Sequence, residues 1–192
     1  MRHRLFFLTA AAAAASLGCA EAPTAHVLLP GEALLSQGAV IAHATGGGQS
    51  QLPAGFTLLD FQFSAVQLAS GKANGVFSIF WASASGTNDY RGVVTCVSVD
   101  PVNNRAWIGG VVTENNSTHP LGSEPRKQVG RDIWFRVVDN GEGADAAPDR
   151  TTVAGFEGDA GVITSAEYCA TQPWAANDAN TWPRVGGNIQ VH

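Results

Sequence analysis

The stretch "RDIWFRVVD" (131–139) sets Ile133, Phe135 and Val137 on one side of an extended chain and Asp132, Trp134 and Arg136 on the other. A side-chain period of two is the geometry of a β-strand with one face in a core, and no helix can satisfy it. The same pattern recurs down the chain. "TLLDFQFSAVQL" aligns Phe61, Phe63 and Ala65, and "GVFSIFWASA" aligns Phe77, Ile79 and Trp81. "VIAHAT", "YRGVVTCVSV", "RAWIGGVVTE", "TTVAGFEG" and "GGNIQVH" complete a set of about eight runs rich in β-branched and aromatic residues. Turn signals separate them: "SGKANG" before the third and "DPVNN" after the fourth. Gly109-Gly110 predicts a bend or bulge inside the fifth. No long amphipathic helical pattern follows the first 20 residues. The expected fold is therefore all-β, with about eight antiparallel strands in an up-and-down barrel or meander. Short consecutive hairpins favour the barrel, which removes sheet edges. A Greek-key β-sandwich is the alternative.

The N-terminus predicts where the chain works. "MRHR" is a positive segment and "LFFLTAAAAAASL" a short apolar one, too short to cross a bilayer of about 30 Å as a helix. "SLGC" then resembles the lipobox of bacterial lipoproteins, in which the peptide is cut before a lipid-modified Cys. The resemblance implies a signal peptide over 1–18, lipidation at Cys19 and attachment to the membrane through that lipid only. Ser16 departs from the pattern, which prefers Leu three residues before the Cys. The alternative is a conventional secretory leader, cut beyond Cys19 and giving a secreted or periplasmic protein. Residues 19–38 lack a period, carry Pro23 and Pro30, and read as a tether or arm. The all-β domain then runs over 39–192.

Charge excludes one class of partner. Of the 11 basic residues, Arg2 and Arg4 lie in the leader, so the remainder carries nine against 16 acidic residues, a net of −7. Nucleic-acid surfaces need clustered Lys and Arg, and no such footprint is present. Beyond Cys19 only Cys96 and Cys169 remain. In an exported chain a pair of cysteines predicts one disulfide.

The words "TC", "VVDNGEG" and "GNIQVH", in that order, resemble a group of small exported bacterial β-rich domains, the post-COAP-like domains. The resemblance covers roughly 40–192. It implies an exported all-β unit with a second Cys in the last long loop, as at Cys169, and it brings no activity, cofactor or catalytic residue.

Few residues invite chemistry. "DNGEGADAAPD" (139–149) gathers Asp139, Glu142, Asp145 and Asp149, which could offer oxygens to Ca²⁺. The spacing lacks the Gly and Glu of an EF-hand loop, and Asn140-Gly141 is a turn dipeptide. A polar connection between antiparallel strands, with solvated carboxylates, is the expectation. Trp81, Trp107 and Trp134 lie in strands and read as packing. Trp174 and Trp182 sit instead in "QPWAANDANTWPR" with Asn177, Asp178 and Asn180 between them. Aromatic faces beside amides and carboxylates make sugar sites, and long loops on rigid β scaffolds often carry function. The competing expectation is that both rings plug a barrel end, since each Trp buries about 150–250 Å². His43 and His192 fall on the first and last strands, neighbours in a closed barrel, but two His without a third ligand are weak evidence for a metal. GxSxG, HExxH and P-loop patterns are absent, and no cofactor is expected. Two function classes follow. One is a non-catalytic envelope module, binding or structural, that takes a glycan, a small ligand or another envelope protein. The other is a hydrolase or isomerase whose residues come from separate strands. Acidic or His side chains lining an open interior would favour the enzyme, and a filled interior the module.

Overall fold

The computed structural model describes residues 38–192 apart from 53–55, 57, 58 and 144. The leader, Cys19 and the arm lie outside the described residues, residue 38 excepted. Eight strands run in chain order: β1 (Val40–Ser50), β2 (Leu59–Leu68), β3 (Ala73–Ser83), β4 (Gly86–Asp100), β5 (Arg105–Asn115), β6 (Asp132–Val138), β7 (Arg150–Thr151) and β8 (Trp182–Val191). Each pairs antiparallel with its sequence neighbour, and β1 also pairs with β8, from Ala44↔Val191 to Ser50↔Arg184. The sheet is thus a closed up-and-down barrel, and the sandwich alternative falls. His43 and His192 meet at the closing seam: each backbone N–H donates to the other's carbonyl, at 2.7 and 2.8 Å, and the rings lie 4.8 Å apart.

Alternation fills the interior. Phe61 and Phe135 meet edge to face at 4.6 Å, with Phe63 5.5 Å from both and Phe77 6.0 Å from Phe135. Leu59, Ile79, Ile108, Ile133, Val137 and Ile189 pack around them with no exposure. The ring of Phe77 needs Gly92 opposite it across the ladder. A Cβ at Gly92 would stand 2.2 Å from Phe77 Cζ, well inside contact distance. The irregularity foreseen at Gly109-Gly110 lies on the partner strand. Val94 faces Gly110 and Cys96 faces Gly109, so Thr95 is the extra residue of a bulge in β4.

Two elements depart from the sequence reading. "TTVAGF" is strand only at its start: β7 has two residues, and beyond it only Gly155 bridges to Trp134. Gly155 lies against the indole, where a Cβ would be 2.3 Å from Trp134 Nε1. The long last loop contains a helix, α1 (Ser165–Thr171). Thr164 caps it by accepting from the Glu167 N–H at 3.2 Å, and Glu167 Oε2 accepts from the Ile163 N–H at 2.8 Å. No helix among the described residues is long and apolar enough to cross a membrane.

Because β7 is so short, it covers β8 only at Trp182 and Pro183. Further along, the acidic stretch takes over. Asp149 Oδ2 accepts from the Ile189 N–H at 2.7 Å, and Asp139 Oδ2 from the Val191 N–H at 3.0 Å. Glu142 Oε1 accepts from the side chains of Asn188 and Gln190 at 3.0 and 2.9 Å. "DNGEGADAAPD" does connect two antiparallel strands, but the expectation of solvated carboxylates needs correcting. Asp149 is 6% exposed and, like Asp139, replaces a missing strand as acceptor of backbone N–H groups.

Candidate functional site

The last long loop folds over the outside of the barrel rather than into it. The disulfide Cys96–Cys169, with Cα atoms 6.2 Å apart, fastens α1 to β4. Asp132 Oδ1 accepts from the Ser165 N–H at 3.0 Å, which ties the start of α1 to β6. Gln172 Nε2 donates to Ser98 Oγ at 2.6 Å, and Trp107 Nε1 to the Pro173 carbonyl at 2.9 Å.

Beneath this cap lies a second apolar cluster of Trp107, Trp134, Val162 and Tyr168, with Trp174 partly buried against it. Trp134 and Tyr168 stack at 5.6 Å. Burial pushes the Tyr168 hydroxyl well above the usual phenol range, the Arg136 charge opposing it in part. Arg136 is wholly buried here. Its guanidinium donates to the carbonyls of Trp174, Asn177 (2.9 Å) and Ala179 (2.9 Å). Desolvation draws its pKa below the ordinary guanidinium value. A planar group with several fixed donors suits a cluster of loop carbonyls. Arg105 adds a second clamp, on the Ala175 carbonyl and on Asp178 Oδ1 at 2.9 Å. So held, the loop keeps Gln172, Trp174 and Asn180 at φ of 47°, 59° and 58°. Non-glycine residues reach this left-handed region only at a cost of about 1–3 kcal/mol each, which surrounding contacts must offset.

The five residues singled out in the loop separate into two groups. Trp174, Asn180 and Trp182 line one cleft of about 290 Å³, together with Trp134, Tyr168 and Thr152. Asn180 brings a side-chain amide with no hydrogen bond among the described residues. Asn177 and Asp178 do not line it. Asn177 Oδ1 accepts from the Ala179 N–H at 2.8 Å and Asp178 pairs with Arg105, so both brace the loop. The two-ring plug also needs correcting: Trp174 lies outside the barrel with its ring 5.9 Å from the Arg136 guanidinium. Trp182 alone packs against the barrel core.

Trp182, Val153 and Ala154 also border a second cleft of about 280 Å³, with Leu52, Phe56, Trp81 and Leu121. Asn88, His119 and Lys127 are its polar members. Apart from Trp182, none of these was singled out from the sequence for binding. One signal was present: Asn88 shares the inward side of β4 with Tyr90, Gly92 and Val94, so the alternation alone makes it a buried polar group.

The four carboxylates weighed as oxygen donors for Ca²⁺ do not converge. Asp139, Glu142 and Asp149 face three different sets of protein donors on β8 and its neighbours, and Asp145 is exposed. Among the described residues no three His, Cys, Asp or Glu side chains gather closely enough to hold a metal ion. No family model, no curated protein and no solved structure matches the chain.

Proposed function

We propose that this chain is an exported, envelope-associated binding module without catalytic activity. It is carried on a lipid at Cys19, or released if the leader is cut beyond that residue. The leader and "SLGC" support export, and the likeness to small exported β-rich domains agrees with it. The observation that carries the binding reading is the cleft beside Trp174 and Trp182. Three indole rings and one phenol ring border it, next to the Asn180 amide, which has no hydrogen bond among the described residues. Aromatic faces take the apolar faces of sugar rings, and an amide takes their hydroxyls. An envelope glycan is the ligand this combination suits best. Against the enzyme alternative stands the barrel interior, filled by four interlocking phenylalanines where an acid/base pair would need space.

A glycan array and a pull-down from envelope extract, each with wild type and Trp174→Ala, test the reading. Trp174 is only partly buried, and a melting curve checks that the variant folds. Binding by wild type that weakens tenfold or more in the folded variant supports the site. Equal binding by both proteins, or no binding by wild type, removes it.

A further inference from the structure

The second cleft opens where β1 and β3 end, and it differs in chemistry from the first. Its walls are Leu52, Phe56, Trp81, Leu121, Val153 and Trp182. Phe56 and Leu121 are 47% and 55% exposed, which sets two large apolar side chains at its rim. Leu121 does not stand there by default. It sits in the 3₁₀ turn Pro120–Ser123, which His119 caps by accepting from the Leu121 N–H at Nδ1, 3.1 Å away.

The charges near the cleft are already matched. Lys127 Nζ lies 3.3 Å from Glu124 Oε1 and 5.4 Å above the Phe156 ring. Glu124 also pairs with Arg126 at 2.8 Å, and Arg126 with Asp159 at 2.9 Å. Two cations and two anions leave no net charge for an ionic ligand to answer. Beside His119, whose Nδ1 serves the turn, one uncharged polar side chain faces the cleft. Asn88 is 3% exposed. Its Oδ1 accepts from the Tyr90 hydroxyl at 3.3 Å, and its Nδ2 has no partner among the described residues. Asn88 lines the cleft, so this amide N–H can donate to an acceptor bound there.

We infer that this cleft binds a small, uncharged hydrophobic molecule carrying one hydrogen-bond acceptor, such as an aromatic ketone or ester, whose oxygen meets Asn88 Nδ2. A volume of about 280 Å³ suits a body of one or two fused rings. The inference does not depend on the glycan reading, because Trp174 and Asn180 do not line this cleft.

N-phenyl-1-naphthylamine, an uncharged probe that brightens in apolar surroundings, reports occupancy. Wild type is expected to bind it saturably and one to one. The exposed-rim double variant Phe56→Ser/Leu121→Asp should weaken binding at least tenfold, while Trp174→Ala leaves it unchanged. The anionic analogue 1-anilinonaphthalene-8-sulfonate should bind at least tenfold more weakly than the neutral probe. In displacement, 2-acetonaphthone should compete about fivefold better than 2-ethylnaphthalene, the effect of one net hydrogen bond. Asn88→Leu should bring the two within twofold. No saturable binding, tighter binding of the sulfonate, or loss of binding in Trp174→Ala but not in the rim variant would overturn the site. An acetonaphthone advantage that survives in folded Asn88→Leu would overturn the role of Asn88.

Discussion

The barrel wall has two outer halves built on one inner pattern. Along β2 and β3, and the half of β4 that pairs with β3, outward residues include Gln62, Ser64, Val76, Arg91 and Val93, which are exposed, and none of those on this face is buried. Along β5 and β6 they include Trp107, Trp134 and Arg136, all buried. Inside, both halves contribute the same kind of residue: Phe61, Phe63 and Phe77 from one, Ile108, Ile133 and Phe135 from the other. Alternation therefore determines which side chains enter the barrel, but not what happens to those left outside. That depends on whether a later segment returns to cover them, as α1 and the loop to β8 do here. Burial by such a cap turns two tryptophans and an arginine from surface groups into a second core.

The largest test of this contrast is a pair of substitutions on outward-facing residues, one on each half. Trp134→Ala should destabilise by about 3–5 kcal/mol, the range for a large buried aromatic. Val93→Thr on the bare half should stay within about 0.5 kcal/mol. Urea unfolding of both decides, and similar losses would erase the distinction between the halves. Next comes the link that holds the cap down. The bridge spans 73 positions, for which loop-closure entropy gives about 4 kcal/mol, so Cys96→Ala/Cys169→Ala should lose up to that much. Proteolysis of the reduced or substituted protein should cut first within 165–181, the cap, and leave the bare half intact. Cleavage beginning in β2 or β3 would mean that the cap is not the weaker part.

The smallest effect belongs to the acidic stretch, which serves neither half. Hydrogen bonds from Gln190 and then Asn188 hold the Glu142 carboxyl below its ordinary pKa. A lowered folded-state pKa adds stability above the unfolded value, about 4.3 for Glu, and that stability is lost as pH falls through the folded value. Wild type should therefore melt slightly above Glu142→Gln at pH 7, with the gap closing below about pH 4. A gap that widened with acid would contradict this role for the carboxylate.

How far the sequence could be read follows the same division. The strands, their order and the inward phenylalanines were legible because a period of two is a local property. The disulfide was legible from composition, since only two cysteines lie beyond Cys19. The cap was not, because "DIWFRV" looks identical whether Trp134 and Arg136 meet water or another segment. Its helix left one local trace, Thr164 followed by Glu167, in a run too short to show an amphipathic period. Within the candidate site, Trp174, Asn180 and Trp182 were found by their company in the loop. Asn177 and Asp178 kept the same company but are spent on holding the loop, a difference set by Arg105 and by the chain's own turn.

The seam closed by Asp139 and Asp149 has a consequence for how copies of this protein meet. A β-strand that accepts hydrogen bonds on one edge offers fresh donors and acceptors on its other edge, so it extends the ladder and invites another chain to join. A carboxylate accepts and offers nothing onward. Where β7 leaves β8 uncovered, the row of N–H groups from Ile189 to Val191 is answered by side chains that end the ladder. Glu142 sets a further negative charge beside it, and a sheet edge guarded by charge repels strand addition. The acidic loop thus answers the donors that this stretch of β8 would otherwise turn toward another chain.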